Sequence, residues 1–151
     1  MSAFRRLYGS ISLMLLIWAD TASAGDVLSQ WSPRQFPDST INNYGLSDIL
    51  FANGRFVAVG ESGDFGAIIT SADGMNWTSH SVTNSSITLS VNGIGYGNGR
   101  FVGVGWMGVR SLSLDGTNWT QGSIGGNTEY SDVAYGGGQF VAVVTRSQLR
   151  P

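Results

Sequence analysis

Three kinds of side chain in this 151-residue sequence could do chemistry: clustered carboxylates, a lone histidine and repeated arginines. Glu61 and Asp64 lie three apart in a glycine-containing stretch. Two acids that close could begin a calcium site, but the Asp-x-Asp-x-Asp-Gly order such a loop uses is absent. Glycoside hydrolysis would need a second acid held across a cleft, and Glu129 is the candidate for that place. His80 is the single histidine, and no nucleophile-elbow sequence accompanies it. An exposed edge position is its expected place. Arg55 and Arg100 follow Asn-Gly pairs at matching positions, where solvated turn residues with apolar stems are expected. Arg110 stands where the first unit carries Ile68, which suits an exposed strand face. With no cysteine in the chain, disulfides, thiolate metal sites and cysteine nucleophiles are excluded. The segment Gly93-Ile94-Gly95-Tyr96-Gly97 is not followed by a helical pattern, so a phosphate-binding loop is not expected. Asn76, Asn84 and Asn118 begin glycosylation sequons, which carry no meaning in a bacterial chain. No cofactor is implied by these residues.

The elements that must position these groups repeat. Phe51-Ala52-Asn53-Gly54-Arg55-Phe56-Val57-Ala58-Val59-Gly60 returns as Tyr96-Gly97-Asn98-Gly99-Arg100-Phe101-Val102-Gly103-Val104-Gly105. A third copy is Tyr135-Gly136-Gly137-Gly138-Gln139-Phe140-Val141-Ala142-Val143-Val144. Phe56 to Phe101 is 45 residues and Phe101 to Phe140 is 39. A second motif, Ser71-x-Asp73-Gly74-x-x-Trp77, returns as Ser113-x-Asp115-Gly116-x-x-Trp119, with 42 residues between the aspartates. A period near that value is one four-stranded propeller blade. Asn-Gly between apolar runs supplies the two positive φ angles of a type I′ hairpin turn, and Gly137-Gly138 can do the same. The Phe-Val-Ala/Gly-Val runs suit strands covered on both faces. Glycine recurs too often for helices.

These patterns predict an all-β protein: an incomplete β-propeller of about two and a half four-stranded antiparallel blades, preceded by a signal-peptide helix. Residues 1–24 are the expected signal, with Arg5 and Arg6 before the apolar run 11–19 and Ala22-Ser23-Ala24 at the cleavage point. Nine apolar residues are too few to span a bilayer. Residues 25–45 form an N-terminal extension with an isolated outer strand near 31–36. Blades are expected at 46–90 and 91–130 and a half blade at 131–144, eleven strands in all, before an unpatterned tail at 145–151. Within the first blade the outer strand runs from Trp77 to Val82. Closed propellers use about four to eight blades. A ring closed by several copies, self-association through exposed blade edges and a truncated gene product are therefore all open readings.

The two Ser-x-Asp-Gly-x-x-Trp copies resemble the Asp-box, or bacterial neuraminidase repeat. The aromatic here follows the Asp by four residues, one fewer than is usual for that box. The resemblance covers roughly residues 46–144. That family contains sialidase-type propellers and secreted bacterial proteins, some similar to photosystem II assembly-factor propellers. It implies that Ser71, Asp73, Gly74, Trp77, Ser113, Asp115, Gly116 and Trp119 hold turns and pin neighbouring blades, away from any ligand.

Charged residues make up only 12% of the chain, and all eight basic residues are arginine. Removing the signal leaves six basic against nine acidic residues, which argues against nonspecific nucleic-acid binding. The functional expectation is an exported protein, periplasmic or extracellular, without catalysis, offering a binding or scaffold surface to a protein or glycan. Its binding face is expected on the loops bearing Trp106, Met107 and Tyr130, with Glu61 and Asp64 as polar rim. Trp106 equally suits packing between blades. The alternative is a sialidase-like hydrolase or lectin, which would need an arginine cluster facing a tyrosine–glutamate pair.

Overall fold

A computed structural model describes residues 14–17, 31–34, 44–62, 65–80, 82–83, 90–123 and 128–146. The strands are β1 (Met14–Ile17), β2 (Trp31–Arg34), β3 (Tyr44–Ala52), β4 (Arg55–Ser62), β5 (Phe65–Ser71), β6 (Thr78–Ser79) and β7 (Val82–Thr83), then β8 (Val91–Gly97), β9 (Arg100–Gly105), β10 (Val109–Ser113), β11 (Trp119–Ser123), β12 (Glu129–Gly136) and β13 (Gln139–Arg146). No α-helix occurs among them; a 3-10 turn at Trp106–Gly108 joins β9 to β10. The fold is that of a partial β-propeller. One antiparallel sheet has the order β3-β4-β5-β6 and a second β11-β10-β9-β8, while β12 and β13 form a third, two-stranded unit.

The hairpin turns take the form the Asn-Gly pairs predict. Asn53 and Gly54 have φ of 51° and 73°, Asn98 and Gly99 of 47° and 71°, and Gly137 and Gly138 of 58° and 82°. Positive φ at both central residues matches the turn's twist to that of the strands. Across each turn the same aromatic pair forms: Phe51–Phe56 at 4.7 Å, Tyr96–Phe101 at 4.6 Å and Tyr135–Phe140 at 4.8 Å between ring centroids. The sequence repeat is thus a structural repeat.

Successive units stack face to face. Strand alternation divides each unit into a side toward the preceding unit and a side toward the following one. Val57, Val59, Ile68, Leu50 and Ala52 of the first unit meet Val91, Ile94, Tyr96, Phe101 and Trp119 of the second in one apolar cluster. Ala58 and Ile69, on the first unit's other side, are covered by Leu46 and Trp77 of their own sheet. The third unit leans on β8 through glycines. A Cβ at Gly93 would meet the Asp132 Cα at 2.6 Å, and one at Gly97 would run into the Tyr135 ring. Only the missing side chains let β12 approach that closely.

Four observations differ from the sequence reading. The expected signal helix is not seen where its apolar run is described: Met14–Ile17 is extended and pairs antiparallel with Trp31–Arg34. Strand pairing there satisfies the backbone of both segments, and β2 finds its partner in β1 rather than at a blade edge. The remaining signal features, Arg5-Arg6 and Ala22-Ser23-Ala24, lie outside the described residues. The outer strand of the first unit is also shorter than predicted. Only Thr78–Ser79 pairs with β5, whereas Val82–Thr83 leaves to pair in parallel with Trp119–Thr120 of the second unit. That transfer covers the otherwise open edge of β11. These two changes account for thirteen strands among the described residues where eleven are expected. Finally, Thr145 and Arg146 extend β13 rather than belonging to an unpatterned tail, because they continue the ladder opposite Glu129.

Candidate functional site

The two Ser-x-Asp-Gly-x-x-Trp segments build identical turns. Ser71 Oγ donates to Asp73 Oδ1 at 2.9 Å and accepts from the Gly74 amide at 2.8 Å. Asp73 Oδ1 accepts the amides of Met75 and Asn76, each at 2.8 Å, and Oδ2 accepts from Asn76 Nδ2 at 2.7 Å. The Ser113–Asp115–Asn118 copy repeats every one of these bonds. Each indole closes its own turn: Trp77 Nε1 donates to the Gly74 carbonyl at 3.1 Å and Trp119 Nε1 to that of Gly116 at 2.8 Å. The Asn76 and Met75 amides, aided by the Asn76 side chain and Ser71, hold the Asp73 carboxyl far below the usual carboxylate range. The Asn118 amide, then its side chain and the Thr117 amide, do the same to Asp115. A carboxylate whose oxygens are committed to turn amides is a poor proton donor and a poor base.

Trp119 is buried against the first unit, its ring centroid 6.2 Å from that of Phe101. Trp77 makes the equivalent contact with Phe56 at 6.3 Å but is half-buried.

Arg55 departs from the expected solvated turn residue. It is half-buried, and its Nε is enclosed without a hydrogen-bond partner. Its stem lies over the turn of the second unit, where a Cβ on Gly116 would sit 3.1 Å from the Arg55 Cδ. His80 is likewise not an exposed edge residue. Its Nε2 is 2.7 Å from Thr70 Oγ1, and it is half-buried. Burial, then the Arg55 charge, push its pKa below the ordinary histidine value against a smaller opposing pull from Asp115. Arg55, Thr70, Asn76, Thr78, His80 and Thr117 line a hollow of about 390 Å³ between the first two units. Arg100 and Arg110 are exposed, as the sequence suggests.

On the turn after β9, Trp106 and Met107 are exposed. Met107 sits in left-handed backbone at φ 54°, ψ 33°, which costs a non-glycine residue about 1 kcal/mol or more. Several bonds hold it there. The Trp106 amide donates to the Ser90 carbonyl at 3.2 Å, and the Gly108 amide to that of Thr128 at 2.8 Å. Ser123 Oγ donates to the Met107 carbonyl. Asn92 Nδ2 reaches the Tyr130 carbonyl at 2.8 Å. Of the predicted face residues, Trp106 and Met107 share one turn, and Tyr130 is half-buried at the start of β12. Glu61 is exposed near the end of β4, opposite Gly45 and Gly66. Asp64 lies outside the described residues. Glu129 opens β12 and is half-buried, opposite Arg146 in the ladder. No group of three or more His, Asp or Glu positioned for a metal occurs among the described residues. Nor is any described helix long and apolar enough to cross a membrane.

Asp48 is the residue that sequence reasoning missed. Its Oδ1 accepts the amide of Ile49 at 2.7 Å, and its Oδ2 the amide of Ile94 from the next unit at 2.9 Å. One carboxylate thus clips two inner strands together. The available signal was an acid placed within the apolar run before Phe51 and returning at Asp132.

No protein-family model matches this sequence, and no curated protein matches it. Among solved structures, one described as "YCF48 bound to D1 peptide" is similar, with 17% identity and a TM-score of 0.46. The match covers 76% of this chain and 36% of that one, so this chain spans about a third of that structure's length.

Proposed function

We propose that this is an exported, non-catalytic repeat protein of the Asp-box propeller type, and that it presents a binding surface to a protein or glycan partner. The observation that carries the reading is the rim of Trp106, Met107 and Tyr130. Trp106 and Met107 form an exposed aromatic and thioether surface on a strained, multiply bonded turn, with the half-buried Tyr130 at the start of β12. A backbone already fixed in place loses little entropy on binding, which suits a turn that presents interface anchors. Two further observations support it. The turn bonding of Asp73 and Asp115 suits a structural role for the Asp-box acids. The exposed Arg100 and Arg110 belong to different strands, β9 and β10.

The test uses purified protein on a glycan array and in cross-linking against exported bacterial proteins, with Trp106→Ala/Met107→Ala as the matched control. Retention that disappears in the double variant supports the reading. Retention unaffected by it moves the site elsewhere and refutes the rim. Release of 4-methylumbelliferone from a sialoside substrate would instead favour the hydrolase alternative.

A further inference from the structure

The contact between the first two units joins two different faces, and the inner-strand part of each occurs again on the outside of the described residues. On the side toward a following unit, Val57 and Val59 are 0% exposed because the second unit covers them. Their equivalents in the third unit, Val141 and Val143, are each 55% exposed. On the side toward a preceding unit, Ile94 is 4% exposed against the first unit, whereas its equivalent Ile49 is 46% exposed beside the open Phe51. Phe51 stands at the register of Tyr96 and makes the same cross-turn aromatic pair. What Val57 and Val59 accept inside the chain is thus what Ile49 and Phe51 offer at its other end.

We propose that two copies of this chain associate head to tail, the Ile49–Phe51 face of one docking on the Val141–Val143 face of the other. The occupant is a second copy because Ile49 and Phe51 stand at the register of Ile94 and Tyr96, which Val57 and Val59 receive within the chain, and Val141 and Val143 stand at the register of Val57 and Val59. Asp132 adds nothing to the match. Its Oδ1 accepts the Val133 amide at 2.7 Å as Asp48 Oδ1 accepts that of Ile49, but no amide of a described residue meets its other oxygen. In a docked copy the amide at that register is that of Ile49, already held by Asp48. The apolar contacts, not this bond, therefore supply the association. Such a contact is heterologous: it uses two different patches, so each copy retains one free patch until a ring closes.

That asymmetry gives the test. Full-length protein is followed by size-exclusion chromatography with light scattering at about 5 and 100 µM, as wild type, Phe51→Asp, Val143→Asp and an equimolar mixture of the two variants. Near-UV circular dichroism confirms the fold. Ile49→Asp and Val141→Asp serve as a second pair on the same faces should either first variant lose it. The expected result is a wild-type mass at least twice the monomer at the higher concentration and two monomeric variants. Their mixture forms a one-to-one dimer and nothing larger, since only one productive pair of faces remains. A monomeric wild type, a single variant that associates as the wild type does, or a mixture that stays monomeric would each overturn the proposal.

Discussion

Val59 and Val143 occupy the same place in the repeat, on the same strand of their units, and differ only in what covers them. Replacing each by alanine removes the same two methyl carbons. At Val59 the loss comes from a fully buried site between two sheets. At about 0.8 kcal/mol per buried carbon it costs ~1.6 kcal/mol in transfer, and the unfilled cavity raises this to ~2–3 kcal/mol. At Val143 more than half of the side chain already meets water. There the cost should be about 0.5 kcal/mol or less, as for ordinary surface positions. Urea unfolding followed by tryptophan fluorescence at about 1 µM protein measures both, and the low concentration keeps copies apart. The expected outcome is a midpoint lowered clearly by Val59→Ala and hardly by Val143→Ala, with the m-value unchanged. Equal losses, or a larger loss at Val143, would refute the assignment of Val59 to a contact between stacked units.

Other consequences follow from the same geometry. Trp119→Ala should destabilise by about 3–5 kcal/mol, and Trp77→Ala by roughly 1 kcal/mol less, since one indole is enclosed and the other half-buried; thermal unfolding of the two variants ranks them. Ser113→Ala leaves the buried Gly116 amide without its acceptor and should cost about 1–3 kcal/mol, read by the same urea titration. His80 has a folded pKa below its unfolded value, so between the two the unfolded chain binds the extra proton and stability falls as pH drops below about 6.5. His80→Gln should flatten that part of the pH–stability curve. Asp73 and Asp115 are also depressed; their contribution is complete above about pH 4 and is lost as acid drives the pH down toward their folded values. Asp115→Asn should therefore reduce the steepness of acid unfolding between about pH 4 and 2.

Much of the architecture was legible because its signals are local. Asn-Gly and Gly-Gly announce hairpins by backbone sterics alone, and the spacing of Phe56, Phe101 and Phe140 announces copies. The Ser-x-Asp-Gly turn is equally self-contained, since its bonds run within six residues. What the sequence hid depends on neighbours distant in the chain. Asp48 clips to Ile94 and the Arg55 stem rests on Gly116, both across a unit boundary. The transfer of Val82–Thr83 to β11 depends on an edge that another unit leaves open. His80 was misread because burial by Thr70 and the Arg55 side is a tertiary effect. The candidate rim was half legible: Trp106 and Met107 stand out by type, while the left-handed backbone at Met107 has no glycine or asparagine to signal it.

Stacking of units through a shared apolar seam underlies all of these expectations, and methyl–aromatic NOE spectroscopy reads it directly. Cross-peaks from the Val57 and Ile68 methyls to the Phe101 and Trp119 ring protons are the predicted result. Their absence in a folded sample, with Trp119 as open to solvent as Trp77, would contradict it.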